Sequence, residues 1–106
     1  MDIFRKAIRI LMFACAVMHI CSCQSKPIKA LVVSGQNNHN WQVSHKVLKQ
    51  ILDNSGLFVT DIALTAPAGG DMTTFKPDFS QYDVVVLDYN GDRWPAETDS
   101  AFVKYV

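Results

Sequence analysis

The chain has 106 residues, with ten basic and ten acidic side chains and a formal net charge of zero, room for one small domain. Apolar residues make up 49% and charged residues only 19%, which excludes a disordered acidic tail and a basic nucleic-acid arm. No Lys/Arg cluster lies beyond the first nine residues, so no surface is expected to track phosphates and nucleic acid is not an expected partner.

The first segment reads as an address. Arg5, Lys6 and Arg9 precede an unbroken apolar run from Ile10 to Met18. That run is too short to cross a hydrocarbon core about 30 Å thick, which takes roughly 20 helical residues. A charged start, a short apolar middle and a small-residue end make a secretory signal peptide. Ile20-Cys21-Ser22-Cys23 resembles the bacterial lipobox, with an aliphatic residue three before the modified Cys and small Ser22 just before it. Cys23 is the expected acylated residue, although Cys21 is atypical in its slot. An ordinary cleaved signal and a structural N-terminal helix are the competing readings.

On the lipoprotein reading, residues 1–22 are the signal peptide, 23–28 the acylated Cys and a polar tether, and 29–106 the folding portion. The protein is then exported and anchored to a membrane through Cys23, on the periplasmic or cell-surface side. No free thiol remains, which excludes a cysteine nucleophile, a disulfide framework and a CxxC site. Seven basic and nine acidic side chains remain, a balance of −2, so attachment depends on the acyl chains rather than on charge.

Ala30 to Ser34 is a short β-branched run ending at Gly35, suited to a strand covered on both faces. After the polar loop Gln36–Asn40, the residues Val47, Leu48, Ile51 and Leu52 recur at helical spacing and predict an amphipathic helix with that stripe inward. Asn54-Ser55-Gly56 stops it. Leu57 to Leu64 predicts a second strand, at a sheet edge because of Asp61. Thr65 to Ser80, with two prolines and two glycines, reads as a linker with a short turn near Phe79. Tyr82 to Asp88 is the strongest strand signal. A helix follows with Pro95 in its first turn, Glu97 and Asp99 near its positive end, and Thr98, Phe102 and Val106 on one face, as are Phe102 and Tyr105.

These elements predict an α/β fold: a partial doubly wound, flavodoxin-like parallel sheet with strand order 2-1-3, preceded by a signal-peptide helix. Because such a sheet needs covers and neighbours that this chain does not supply, the sequence reads as the N-terminal part of a longer protein, a truncated product or an incomplete record.

Two polar clusters, Gln36 to Trp41 and Asp88 to Trp94, follow the first and third strands. In an open parallel sheet the loops beyond the carboxyl ends of the strands form the ligand crevice. With order 2-1-3 the two clusters are neighbours. They offer amides (Gln36, Asn37, Asn38, Asn90), an imidazole (His39), carboxylates (Asp88, Asp92) and the aromatic rings of Trp41, Tyr89 and Trp94. Amides and carboxylates pair with hydroxyls and an indole stacks on a sugar face, so a neutral polyhydroxylated ligand fits. The competing reading makes the polar residues turn-formers and the tryptophans core caps.

Other chemistries fit poorly. Asp88-x-Asn90-x-Asp92 lacks the sixth-position glycine of a calcium loop, where Arg93 stands. His39 and His45, six apart, point about 120° from alignment on a helix and form no two-His metal face; His45 is expected to be solvated. Ser34-Gly35 carries one glycine and makes no phosphate loop. No metal and no cofactor is expected.

Lys29 to Gly35 followed by Asn38-His39-Asn40-Trp41, then the Gly56-Leu57-Phe58 turn, resembles the opening of ThuA-like (trehalose-utilisation) domains. Phe79 to Leu87, Tyr89 to Asp92 and Trp94-Pro95 are similar to the third-strand region of the same family. The resemblance covers Lys29 to Val106 and only the N-terminal part of the family domain. It implies a class I glutamine-amidotransferase-like fold without the cysteine triad, and a role in carbohydrate utilisation on trehalose or keto-sugar derivatives. On that footing the chain is a lipid-anchored sugar-processing protein. His39, Asp88 and Asp92 are its catalytic candidates, and Gln36, Asn38, Trp41, Tyr89, Asn90 and Trp94 its ligand-binding ones. A non-catalytic carbohydrate-binding lipoprotein and a non-functional fragment are the alternatives.

Overall fold

The computed structural model describes residues 1–3 and 25–106. The apolar stretch of the expected signal peptide and Cys23 lie outside the described residues.

Among the described residues, three strands form one sheet: β1 (Ile28–Ser34), β2 (Phe58–Leu64) and β3 (Val84–Leu87), in the order β2-β1-β3. Both pairings are parallel, with Val32 opposite Ile62 on one side and opposite Val86 on the other. The order and direction are those expected from the sequence. Helix α1 (Trp41–Asn54) makes the crossover from β1 to β2, and α2 (Ala96–Tyr105) follows β3. The linker ends in a 3-10 turn at Phe79–Gln81, where a short turn was expected.

β1 is the core strand because it is paired on both sides; Ala30 to Val33 are almost fully buried. Successive side chains leave a strand on opposite faces. Leu31 and Val33 join Phe75 and Phe79 in a cluster bounded by Val85, Tyr89, Trp94, Phe102 and Tyr105. Ala30, Val32 and Ser34 point to the other face, covered by α1. The two helices thus cover opposite faces, as a doubly wound arrangement requires.

Three local expectations are corrected. The inner face of α1 is Trp41, Ser44, His45, Leu48 and Leu52, whereas Val47 and Ile51 stay 45% and 61% exposed. Two polar residues occupy inward positions, so hydrophobic periodicity misplaced the stripe. His45, expected in solvent, is buried, its Nδ1 donating to the Trp41 carbonyl one turn back. Pro95 precedes α2 as its N-cap, and Val106 is exposed while Thr98, Phe102 and Tyr105 face inward.

Candidate active site

The parallel register decides which residues meet. Val84 lies opposite Ala30 and Val86 opposite Val32, so the next pair on that face is Ser34 and Asp88. The Ser34 hydroxyl donates to Asp88 Oδ2 at 3.0 Å. The first turn of α1 sits above them, and the Ser44 hydroxyl donates to the same oxygen at 2.7 Å. His39, in the loop between β1 and α1, brings Nε2 to 3.2 Å from Asp88 Oδ1. The Asp88 side chain is 7% exposed and the His39 side chain 48%. A shielded carboxylate therefore holds an accessible imidazole, an arrangement in which a ring can take or give a proton.

Beside this cluster the three strand-end loops are tied together by Gln36. Its side-chain amide donates to the Ala66 carbonyl at 2.8 Å, and its Oε1 accepts the Asp92 N–H at 2.8 Å. Its backbone carbonyl accepts the Asn90 N–H at 3.0 Å. Gly91 is required at the crossing, since a Cβ there would stand 2.2 Å from Gln36 Oε1. Gly35, at φ +126°, has Thr65 in the same relation, with Oγ1 2.3 Å from where a Cβ would be. Above the junction lies an open crevice of about 390 Å³, walled by Asn37, Trp41, Gln42, Pro67, Asn90 and Asp92 among others. That volume is within the range of small-ligand sites.

The sequence-predicted residues divide between two faces. Trp41 and Asn90 line the crevice, His39 and Asp88 pair with each other outside its lining, and Asn38 is exposed in the intervening loop. Asp92 also lines it, with one oxygen taken by the Gly69 N–H at 2.6 Å. Gln36 reaches the crevice, but its amide is committed to the loop ties. Tyr89 follows Asp88 on a strand-like segment and so points to the opposite face, where it packs on Trp94 with ring centroids 5.6 Å apart. Trp94 also packs on Phe75, Phe79 and Phe102. Burial pushes the Tyr89 phenol above its ordinary pKa. These two rings belong to the aromatic core, apart from the crevice.

Sequence reasoning missed Ser34 and Ser44. Ser34 was visible as a polar residue ending an apolar strand; nothing in the sequence marked Ser44. A second depression, of about 290 Å³, lies between Phe79 and Tyr105 near the amino end of β3. Among the described residues no group of three His, Cys, Asp or Glu side chains is placed to hold a metal ion.

The crystal structure of a "Putative thua-like protein" from Parabacteroides merdae ATCC 43184 matches 76% of this chain at 62% identity, with a TM-score of 0.75. The chain is similar to a ThuA-like protein. It spans 29% of that protein's length. No family model matches the chain, and neither does any curated protein.

Proposed function

We propose that this chain is a ThuA-like protein that takes a neutral sugar, of the trehalose or keto-sugar type, in the crevice between the β1 and β3 loops. His39 serves as its proton-transfer group. The observation that carries the reading is the Asp88–His39 contact, made by the same two loops whose Asn37, Trp41 and Asn90 wall the crevice. An imidazole held by a shielded carboxylate can exchange a proton with a sugar hydroxyl. Trp41 offers a ring face for stacking, while Asn90 and the second oxygen of Asp92 offer hydrogen bonds to hydroxyls. The 62% identity to the ThuA-like protein supports the family part of the reading.

The protein is exported and anchored through an acylated Cys23, the sequence Ile20-Cys21-Ser22-Cys23 being the support for that part. A non-catalytic carbohydrate-binding lipoprotein is the alternative, favoured by how completely the Gln36 ties fix the loops. Calorimetric titration with trehalose and a keto-disaccharide, beside a turnover assay of the wild type and His39→Ala, separates the two. Turnover that His39→Ala abolishes supports the enzyme. Binding without turnover supports the binding protein, and neither binding nor turnover rejects both.

A further inference from the structure

We infer that Ser34 and Ser44 are positioning residues that lock His39 in one tautomer, with the proton on Nε2 and the reactive lone pair on Nδ1. The functional consequence rests on the reading of His39 as the proton-transfer group; the tautomer itself does not. Asp88 Oδ2 accepts both serine hydroxyls, at 3.0 and 2.7 Å, which turns Oδ1 toward His39 Nε2 at 3.2 Å. A nitrogen lone pair 3.2 Å from a carboxylate oxygen is repelled whereas an N–H is attracted, so the neutral ring favours its hydrogen on Nε2. Nδ1 is then the base. In the step this allows, a sugar O–H bond breaks, its proton forms a bond to Nδ1, and the O–H electron pair stays on the sugar oxygen. The positive charge gained by the ring lies against Asp88. The serines touch neither sugar nor proton; they act through the carboxylate.

His45 supplies an internal reference of opposite sense. Its Nδ1 meets the Trp41 carbonyl, also an acceptor alone, so its proton sits on Nδ1. Long-range ¹H–¹⁵N imidazole spectra of the ¹⁵N-histidine-labelled full chain read both rings, His39 being assigned by loss of its signals in His39→Gln. With both rings in their neutral form, His39 is expected as Nε2–H and His45 as Nδ1–H. A His39 proton on Nδ1, or the tautomer ratio of a free histidine peptide, overturns the inference. In Ser34→Ala/Ser44→Ala the His39 ratio should fall by about tenfold toward the peptide value, while His45 keeps its proton on Nδ1. An unchanged His39 ratio overturns the role of the serines. Should His45 also average, showing a lost fold, Ser44→Thr decides: the retained hydroxyl should keep His39 as Nε2–H, and averaging at His39 with His45 intact overturns the inference. None of these outcomes depends on sugar binding, so they stand apart from the test of function.

Discussion

Gln36→Met is the sharpest perturbation of the loop junction, because methionine nearly matches the volume of glutamine and makes neither of its hydrogen bonds. Gln36 is 5% exposed, and its amide joins Ala66 and Asp92 at 2.8 Å each. A neutral hydrogen bond contributes about 1 kcal/mol, and a partner left unpaired and shielded adds about 1–3 kcal/mol. The Asp92 N–H is near solvent and recovers water, whereas the half-buried Ala66 carbonyl does so less readily. The expected loss is therefore about 2–4 kcal/mol, read as a lowered urea midpoint with unchanged slope. Hydrogen exchange at the Asp92 amide gives the local readout and should accelerate in the variant. A loss below about 0.5 kcal/mol, the range of an inert surface change, with Asp92 exchange unaltered, would refute the claim that Gln36 ties the three loops.

Leu48→Ala should cost about 2 kcal/mol or more, while Val47→Lys should fall within about 0.5 kcal/mol of wild type, in thermal or urea unfolding; the reverse order would restore the stripe read from periodicity. Hydrogen bonding from Lys49, and then from Thr60, holds the Asp53 carboxyl below the usual carboxylate range. A lowered folded-state pKa stabilises the fold above the unfolded carboxylate pKa, and the contribution disappears as pH falls through the folded value. Unfolding midpoints measured from about pH 5 down to about pH 2 should therefore drop, and drop less in Lys49→Met. Metabolic labelling with a radioactive fatty acid should mark the wild type and Cys21→Ala but not Cys23→Ala; label that survives Cys23→Ala would remove the anchor.

The parallel sheet and its order were legible because β1 and β3 are apolar runs with no alternation, the mark of strands covered on both faces, and β2 carries Asp61 where an edge strand tolerates it. The neighbouring loops after Val33 and Leu87 follow from that order. Side-chain direction was harder to read. Asp88 and Tyr89 are consecutive, and only the register with β1 shows that one reaches Ser34 while the other turns toward Trp94. Trp94 was read as a ligand wall because a tryptophan after a strand suits either a crevice or a core, and Phe75, deep in a linker without periodicity, gave no sign that it would cover that ring. Ser44 escaped notice and His45 was placed in solvent for a related reason: polar residues at inward helix positions are recognisable only once Trp41 O and Asp88 are seen to satisfy them. Gln36 lines the crevice, and what the sequence did not show is that its amide also ties the loops through Ala66 and Asp92.

Residue-resolved ¹H–¹⁵N spectra of the full chain during titration with trehalose and with a keto-disaccharide test most directly whether the strand-end crevice receives sugar. Saturable shifts should gather at Asn37, Trp41, Gln42, Asn90 and Gly91, the Trp41 indole included, and leave Phe79 and Tyr105 still. Shifts confined to the depression between Phe79 and Tyr105, or none with either sugar, would contradict it.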